Sequence, residues 1–137
     1  MKFKFLEHRA DTKFQAYGKN LEEAFANAAL ALSALIVKKA DEEEEKKITV
    51  GADDLKELLY VFLEELLFLV DTQDFFLNSV ENLTIKKGKG YTLHAVIGGS
   101  TKKEKYEFLH HVKAITYSEM EIQEEKGKAM VQVVVET

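Results

Sequence analysis

The stretch Asp53 to Val70, DDLKELLYVFLEELLFLV, constrains the fold more than any other part of the chain. Leu55, Leu58, Leu59, Phe62, Leu66 and Leu69 recur at the i, i+3, i+4, i+7 spacing of one helical face. Val61, Leu63, Leu67, Phe68 and Val70 carry the apolar surface round the cylinder, leaving Lys56, Glu57, Glu64 and Glu65 as a narrow polar stripe. A helix that is apolar on most sides must be covered on most sides. Its start is well marked: Asp54 can accept from the first-turn amides while Glu57 reaches back. About ten large apolar side chains, each worth roughly 1.5 to 3 kcal/mol on burial, give this helix a large share of the gross folding energy. The run is too short, and too interrupted by glutamates, to span a membrane.

The rest of the chain supplies the cover. Phe3 and Phe5, then Phe14, Ala16 and Gly18, alternate loosely around the polar segment Glu7-His8-Arg9-Ala10-Asp11. They read as two short strands, or a strand and a loop, carrying His8 and Asp11 between them. Asn20 caps a second helix, with Glu23 three positions on, and Leu21, Ala24, Phe25, Ala28, Leu32, Leu35 and Ile36 share one stripe. Its many alanines allow close packing, and it is expected to end near Lys38-Lys39, where cations suit a helix C-terminus. The run Asp41 to Glu45 reads as a solvated loop or frayed end. Short strands are expected at Lys47 to Val50 and Phe75 to Leu77, with the polar cluster Asp71 to Asp74 turning the chain before the latter.

Everything after that is β in character. Asn82 to Lys87 and Gly90 to Ile97 flank a Lys-Gly-Lys-Gly turn, Gly98-Gly99 is expected to end the second of these strands, and Ser100 to Lys105 reads as a polar loop. Val112 to Tyr117, Met120 to Glu124 and Ala129 to Val135 follow. The β-branched Met-Val-Gln-Val-Val-Val run suggests a strand covered on both sides. The pattern predicts one domain, residues 1–137, of α+β class: a two-layer sandwich of two main helices on a mixed, mostly antiparallel sheet of about six to eight strands.

Composition excludes several functions. The chain of 137 residues has no cysteine, which removes disulfides, thiolate zinc sites and a cysteine nucleophile together. A net charge of −5 argues against strong direct nucleic-acid binding, which needs a clustered positive field. The clusters Lys86-Lys87-Lys89 and Lys102-Lys103-Lys105 lie beside Gly-rich turns and read as solvated loop ends. Met1 to His8 is too short and charged for a signal peptide, so a cytoplasmic protein without a membrane span is expected. There is no phosphate-binding glycine loop, HExxH or GxSxG motif, and His8, His94, His110 and His111 show no metal-ligand spacing. Asp11 stands among small and apolar residues near a strand end, where a turn or cap role competes with a functional one. The buried-looking last strand delivers Glu136 and the carboxylate of Thr137 together. Were that strand beside Asp11, three anionic groups would converge, a donor set suited to a hard cation such as Ca²⁺, Mg²⁺ or Mn²⁺.

Four blocks occur in order along nearly the whole chain: His8-Arg9-Ala10-Asp11; Ala16-Tyr17-Gly18-Lys19 with Leu21-Glu22-Glu23-Ala24-Phe25; Leu58-Leu59-Tyr60 through Phe62-Leu63-Glu64-Glu65-Leu66; and Val112-Lys113-Ala114-Ile115-Thr116-Tyr117. Together they resemble the archease family. The resemblance implies a small non-enzymatic cofactor of the RtcB-type RNA ligase of tRNA splicing and RNA repair, one that promotes guanylylation of the ligase and its repeated turnover. It implies a divalent metal site (Ca²⁺, Mg²⁺ or Mn²⁺) at Asp11, Glu136 and Thr137, with Asp11, Lys113 and Glu136 in activation of the partner. Arg9, Thr12 and Lys13 depart from the family pattern around Asp11, and Glu136 is one methylene longer than the usual Asp. His111 stands where an acidic residue is common, and Ser118 where His is frequent. Lys113 also reads as a snorkelling strand lysine. Competing readings are a metal-free chaperone or adaptor using an apolar patch, and a metal-dependent hydrolase, for which no general base accompanies the acidic pair.

Overall fold

A computed structural model describes residues 1–7 and 10–137. The elements in chain order are β1 (Phe3–Leu6), β2 (Thr12–Gly18), α1 (Leu21–Ile36), β3 (Glu44–Ala52), α2 (Leu55–Gln73), β4 (Phe76–Lys87), β5 (Tyr91–Ser100), β6 (Ala114–Ile115), β7 (Glu121–Glu125) and β8 (Lys128–Glu136). The eight strands form two sheets, all of whose pairings are antiparallel. In the larger, the order β1-β2-β8-β6 is joined by β7, which also pairs with β8; the smaller is β3-β5-β4.

The α+β sandwich of two helices and about six to eight strands expected from the pattern is what forms: among the described residues there are eight strands, shared between two antiparallel sheets instead of running through one mixed sheet. The helices account for the division. Leu58, Leu59, Phe62 and Leu63 of α2 are all fully buried, as are Ala24, Phe25, Ala28, Ala29 and Ala31 of α1. Each helix shares this broad apolar face between the two sheets. α1 packs on β1, β2 and β8 of the larger sheet and on β4 of the smaller; α2 packs on β3, β4 and β5 of the smaller and on β6 and β7 of the larger. Inward residues of both sheets, Val131, Val133 and Val135 from one and Leu93, Ala95 and Ile97 from the other, join a single core.

Both helix starts follow the expected chemistry. The Asn20 side chain accepts from the Glu23 amide at 2.9 Å and the Asp54 side chain from the Glu57 amide at 2.8 Å. Each glutamate then reaches one residue further back than expected, accepting from Lys19 N at 2.9 Å and Asp53 N at 2.7 Å. α1 stops at Ile36, two residues before Lys38, because Val37 is already extended and bridges to Phe108. α2 runs through most of the polar cluster to Gln73, and Asp74, at φ 53°, makes the left-handed turn out of it.

Four strand expectations need correction. The strands expected at Phe75 to Leu77 and Asn82 to Lys87 merge into one strand, β4, which starts at Phe76 and whose register shifts between Leu77 and Ser79 and again between Glu81 and Thr84, with Asn82 at φ 51°. Gly98 and Gly99 lie inside β5 instead of ending it. A side chain at Gly99 would collide with the Phe76 carbonyl and the Phe75 ring, so the pair permits close crossing of the strands. The acidic run enters β3 at Glu44, Glu42 accepts from the Ser79 hydroxyl, and Asp41 and Glu43 are paired with lysines. Lys102 meets Glu43 at 2.9 Å, Lys105 meets Glu43 at 3.2 Å and Asp41 at 3.8 Å, and Lys103 meets Asp74 at 3.5 Å. One lysine cluster read as a solvated loop end therefore sits on the acidic run; Lys86, Lys87 and Lys89 are exposed as expected. Lastly, only Ala114–Ile115 of the expected strand Val112 to Tyr117 is paired.

Gly99→Ala is expected to lower unfolding free energy by about 1 to 3 kcal/mol or more. Gly88→Ala, where an added carbon meets nothing within 4 Å, should be near neutral. Urea melts of the two variants beside wild type check this, and equal midpoints would refute the crowding. The Lys102 and Lys105 ammonium groups hold the Glu43 carboxyl below its ordinary value of 4.5. Such a group stabilises the fold fully above its unfolded pKa and loses that contribution as pH falls through the depressed folded value. Glu43→Gln should thus lower Tm at pH 7 and low salt, with the gap to wild type closing below about pH 4. A gap of the same size at pH 7 and pH 3 would show that the ion pairs are not its cause.

Candidate functional site

β8 lies between β2 on one side and β6 and β7 on the other. Side chains alternate along it: Val131, Val133 and Val135 point into the helical core, while Met130, Gln132, Val134 and Glu136 line the opposite face. Val134 is fully buried on that second face too, so the strand is covered on both sides, as its apolar run suggests. Glu136 is the first exposed residue after the run.

Register brings the candidate residues to this end of the sheet. Thr12 and Ile115 both pair with Val135 from opposite sides, and Ala114 pairs with Glu136. Asp11 immediately precedes Thr12, and alternation puts it on the face of Lys13, Gln15 and Tyr17, the face that Glu136 shares. The Lys113 amide donates to the Glu136 carbonyl at 2.7 Å, placing Lys113 beside Glu136 on the other flank. Asp11 and Thr137 are half-buried; Lys113 and Glu136 are exposed. Asp11, Lys113, Glu136 and Thr137 thus belong to one strand end. His8 and Arg9, the start of the same motif, lie outside the described residues.

A polar chain behind them holds this face. Tyr17 Oη donates to Gln15 Oε1 at 2.8 Å, Gln15 Nε2 to Gln132 Oε1 at 2.8 Å, and Gln132 Nε2 to the Glu119 carbonyl at 2.8 Å. Lys13 Nζ pairs with Glu119 Oε1 at 3.3 Å, so the cation beside Asp11 is turned toward the loop between β6 and β7. The Thr116 hydroxyl and amide both donate to the Val134 carbonyl, at 2.7 and 3.2 Å, and Glu119 has φ 50°. These contacts end β6 after two residues and free Tyr117 to stack on Tyr60 of α2, with centroids 4.3 Å apart and planes 9° from parallel. Hydrogen bonding to Glu64 pushes the Tyr60 hydroxyl above its usual range, with burial adding. Burial does the same for Tyr117, reinforced by the negative field of Glu57, Asp54 and Glu64.

The donors at the strand end are carboxylate oxygens, which suit a hard cation. Asp11 and Glu136 would supply two, and Thr137 stands next in the chain. Among the described residues no group of three or more His, Asp and Glu is arranged to hold a metal ion. The residues fit a hard cation in donor chemistry, with further ligands left to water or a partner. His111 and His110 lie elsewhere, on a cleft of about 430 Å³ formed with Asp71, Asp74 and Phe108. Ser118 is exposed in the β6–β7 loop, its amide donating to Thr116 Oγ1 at 3.2 Å. The tyrosine stack has no signature in spacing, although Tyr60 and Tyr117 both fall within recurring blocks.

These features define a small α+β domain with acids gathered at the end of a buried central strand, and no helix among the described residues is long and apolar enough to cross a membrane. Residues 3–136 match the Archease protein family (MTH1598/TM1083). The archease of Methanosarcina mazei is 38% identical over 140 residues, 98% of this chain and 95% of that protein. The archease of Pyrococcus abyssi is 41% identical over 132 residues, 93% of each. Among solved structures, protein 1598 of Methanobacterium thermoautotrophicum superposes with a TM-score of 0.86 at 35% identity, covering 99% of both chains. An archease of Thermotoga maritima, described as a possible chaperone, shares the fold with a TM-score of 0.67 at 19% identity, over 96% of this chain and 94% of that one. The chain belongs to the archease family.

Gln132→Leu should leave the Gln15 amide and the Glu119 carbonyl without their partner and cost about 1 to 3 kcal/mol. Amide hydrogen exchange is the measurement: residues 116–120 should exchange faster in the variant, and unchanged protection there would show that Gln132 does not hold the loop.

Proposed function

We propose that this protein is an activator of an RtcB-type RNA ligase, promoting guanylylation of the ligase and its multiple turnover through the acidic strand end, without itself being a catalyst. The observation that carries the proposal is the register that puts Asp11 and Lys113 on either side of Glu136, joined to membership of the archease family. Asp11, Glu136 and Thr137 would hold the divalent ion, Ca²⁺, Mg²⁺ or Mn²⁺. A bound cation neutralises developing phosphate charge and orients phosphate oxygens. The chain's own residues do the rest. Pairing on both flanks of β8 holds the Glu136 backbone in place, which fixes where its carboxylate enters a partner surface. Lys13 is engaged by Glu119, so it leaves the Asp11 carboxylate open to a cation. Lys113 carries a positive charge beside the acids, suited to a phosphate of a nucleotide or to a carboxylate of the partner.

A second reading, a chaperone or adaptor acting without metal, is favoured by the exposed side chains of Phe68, Phe108, Leu109 and Tyr117. Multiple-turnover RNA ligation separates the two. Wild type should stimulate a purified RtcB-type ligase supplied with GTP and metal, whereas Asp11→Asn and Glu136→Gln should lose at least about 90% of the stimulation, as expected when a charge acting at the reacting site is removed. Melting temperatures should stay within a few degrees of wild type, since both residues lie beyond the last core pair. Calorimetric titration with Ca²⁺, Mg²⁺ and Mn²⁺ should give heat for wild type and none for the variants. Full stimulation by both variants would overturn the acidic site, and stimulation without any metal response would favour the adaptor.

A further inference from the structure

Six large apolar side chains are exposed among the described residues, and four of them gather round the open side of α2. Phe68 projects from the helix at 53% exposure, and Tyr117, at 51%, stacks on Tyr60 two turns earlier. Phe108 and Leu109, at 53% and 44%, wall a cleft of about 430 Å³ whose opposite side is Leu67, Val70 and Asp71 of α2. The packing of the fold does not require this exposure. Phe108 already meets Phe76 edge-on at 5.2 Å and still leaves half its surface open. A concentration of apolar surface on one element marks an interaction site more than scattered exposure does.

Charge says what fits there. Asp54, Glu57, Glu64 and Asp71 border the same side of α2, and none has a cation partner among the described residues. The contrast with Asp41 and Glu43 is direct, since those acids are matched by Lys102 and Lys105. An exposed tyrosine face among unmatched carboxylates suits a guanidinium, which stacks on aromatic rings and donates fork-like hydrogen bonds to carboxylates better than an ammonium does. The same field repels phosphate, so RNA is a poor occupant. The surface also continues into the acidic strand end. Cleft residues Leu109 to Val112 lead directly to Lys113, whose amide bonds to Glu136.

We propose that the open side of α2 docks an amphipathic, arginine-bearing segment of the partner protein. Its apolar side chains enter the cleft beside Phe68 and Phe108, and its guanidinium lies on the Tyr60–Tyr117 stack between Glu57 and Glu64. The proposal rests on the ligase reading only for the identity of that partner.

The test uses the whole protein, ¹⁵N-labelled, titrated with three synthetic helical peptides of matched length: leucine with arginine, leucine with glutamate, and serine with arginine. The leucine–arginine peptide should shift resonances of α2 and of residues 108–117, and bind about tenfold or more tighter than either control. Glu64→Lys and Phe68→Ser change exposed residues, and circular dichroism should show both folded. Each should weaken the leucine–arginine peptide, and the purified ligase, by about tenfold or more, while Lys89→Ser, in the exposed turn between β4 and β5, leaves both affinities unchanged. Equal binding of the leucine–glutamate peptide, shifts elsewhere on the molecule, or full affinity in both surface variants would overturn the docking surface. Wild type that binds the arginine peptide in this way and ignores the ligase would uphold the surface and refute the ligase as its partner.

Discussion

The apolar cylinder of α2 is the constraint on which the remaining structure depends. α2 buries Leu58, Leu59, Phe62 and Leu63 on one broad face, and strands of both sheets meet the helix. The three-stranded sheet β3-β5-β4 supplies one cover and the sheet that joins β1 and β2 to β8 supplies the other. That second sheet requires β8 to return between β2 and β6, so the last strand becomes a central one. A central strand covered on both faces reads as Val131 to Val135, and it emerges from cover only at Glu136. The acidic end is thus where the core stops, and its position follows from the way the helix is covered.

Two kinds of surface charge result, and they do different work. Asp41 and Glu43 are matched by Lys102 and Lys105, which ties the segment after β5 to the entry of β3. Exposed pairs of this sort contribute little each, about 0 to 1 kcal/mol, and their value lies in fixing where a loop sits. Lys13 and Glu119 act likewise on the loop that presents Tyr117. Among the described residues the acids along the open side of α2 have no lysine partner, and the Glu64 hydrogen bond raises the Tyr60 hydroxyl while burial, then the negative field of these acids, raises that of Tyr117. Unmatched charge next to exposed aromatic surface is costly to maintain in isolation and useful on contact with a complementary partner.

Local chemistry was legible in the sequence and long-range pairing was not. The two helices, their Asn20 and Asp54 caps and the Lys-Gly-Lys-Gly hairpin follow from spacing and from residue types that act on their near neighbours. The single strand β4 was obscured because Asn82 adopts a left-handed conformation inside it, which mimics a break. Gly98 and Gly99 mimic a strand end for a similar reason: their function is to let Phe75 and β4 approach, and that depends on residues far along the chain. The acidic and lysine runs each look solvated when read alone. As for the site, composition points to oxygen donors and the motif blocks point to Asp11, Lys113 and Glu136. Only the pairing of both chain ends with one another brings these together, and a periodicity cannot express such pairing.

Placement beyond the last core pair separates what the acidic end does from what holds the fold. Thr12 and Val135 close the packed part of the ladder, and Asp11 and Glu136 follow as the next residues out. Their carboxylates contribute nothing to the buried cluster, so their geometry is free to answer a partner's chemistry. Precision at that position comes from the backbone instead, through the Ala114 and Lys113 contacts on one flank and β2 on the other. The loop bearing Tyr117 is tethered to the same strand through Thr116 and Gln132. A partner seated on the open side of α2 would therefore meet the acidic end at a fixed offset set by β8, and a displacement of either surface would be transmitted through one strand to the other.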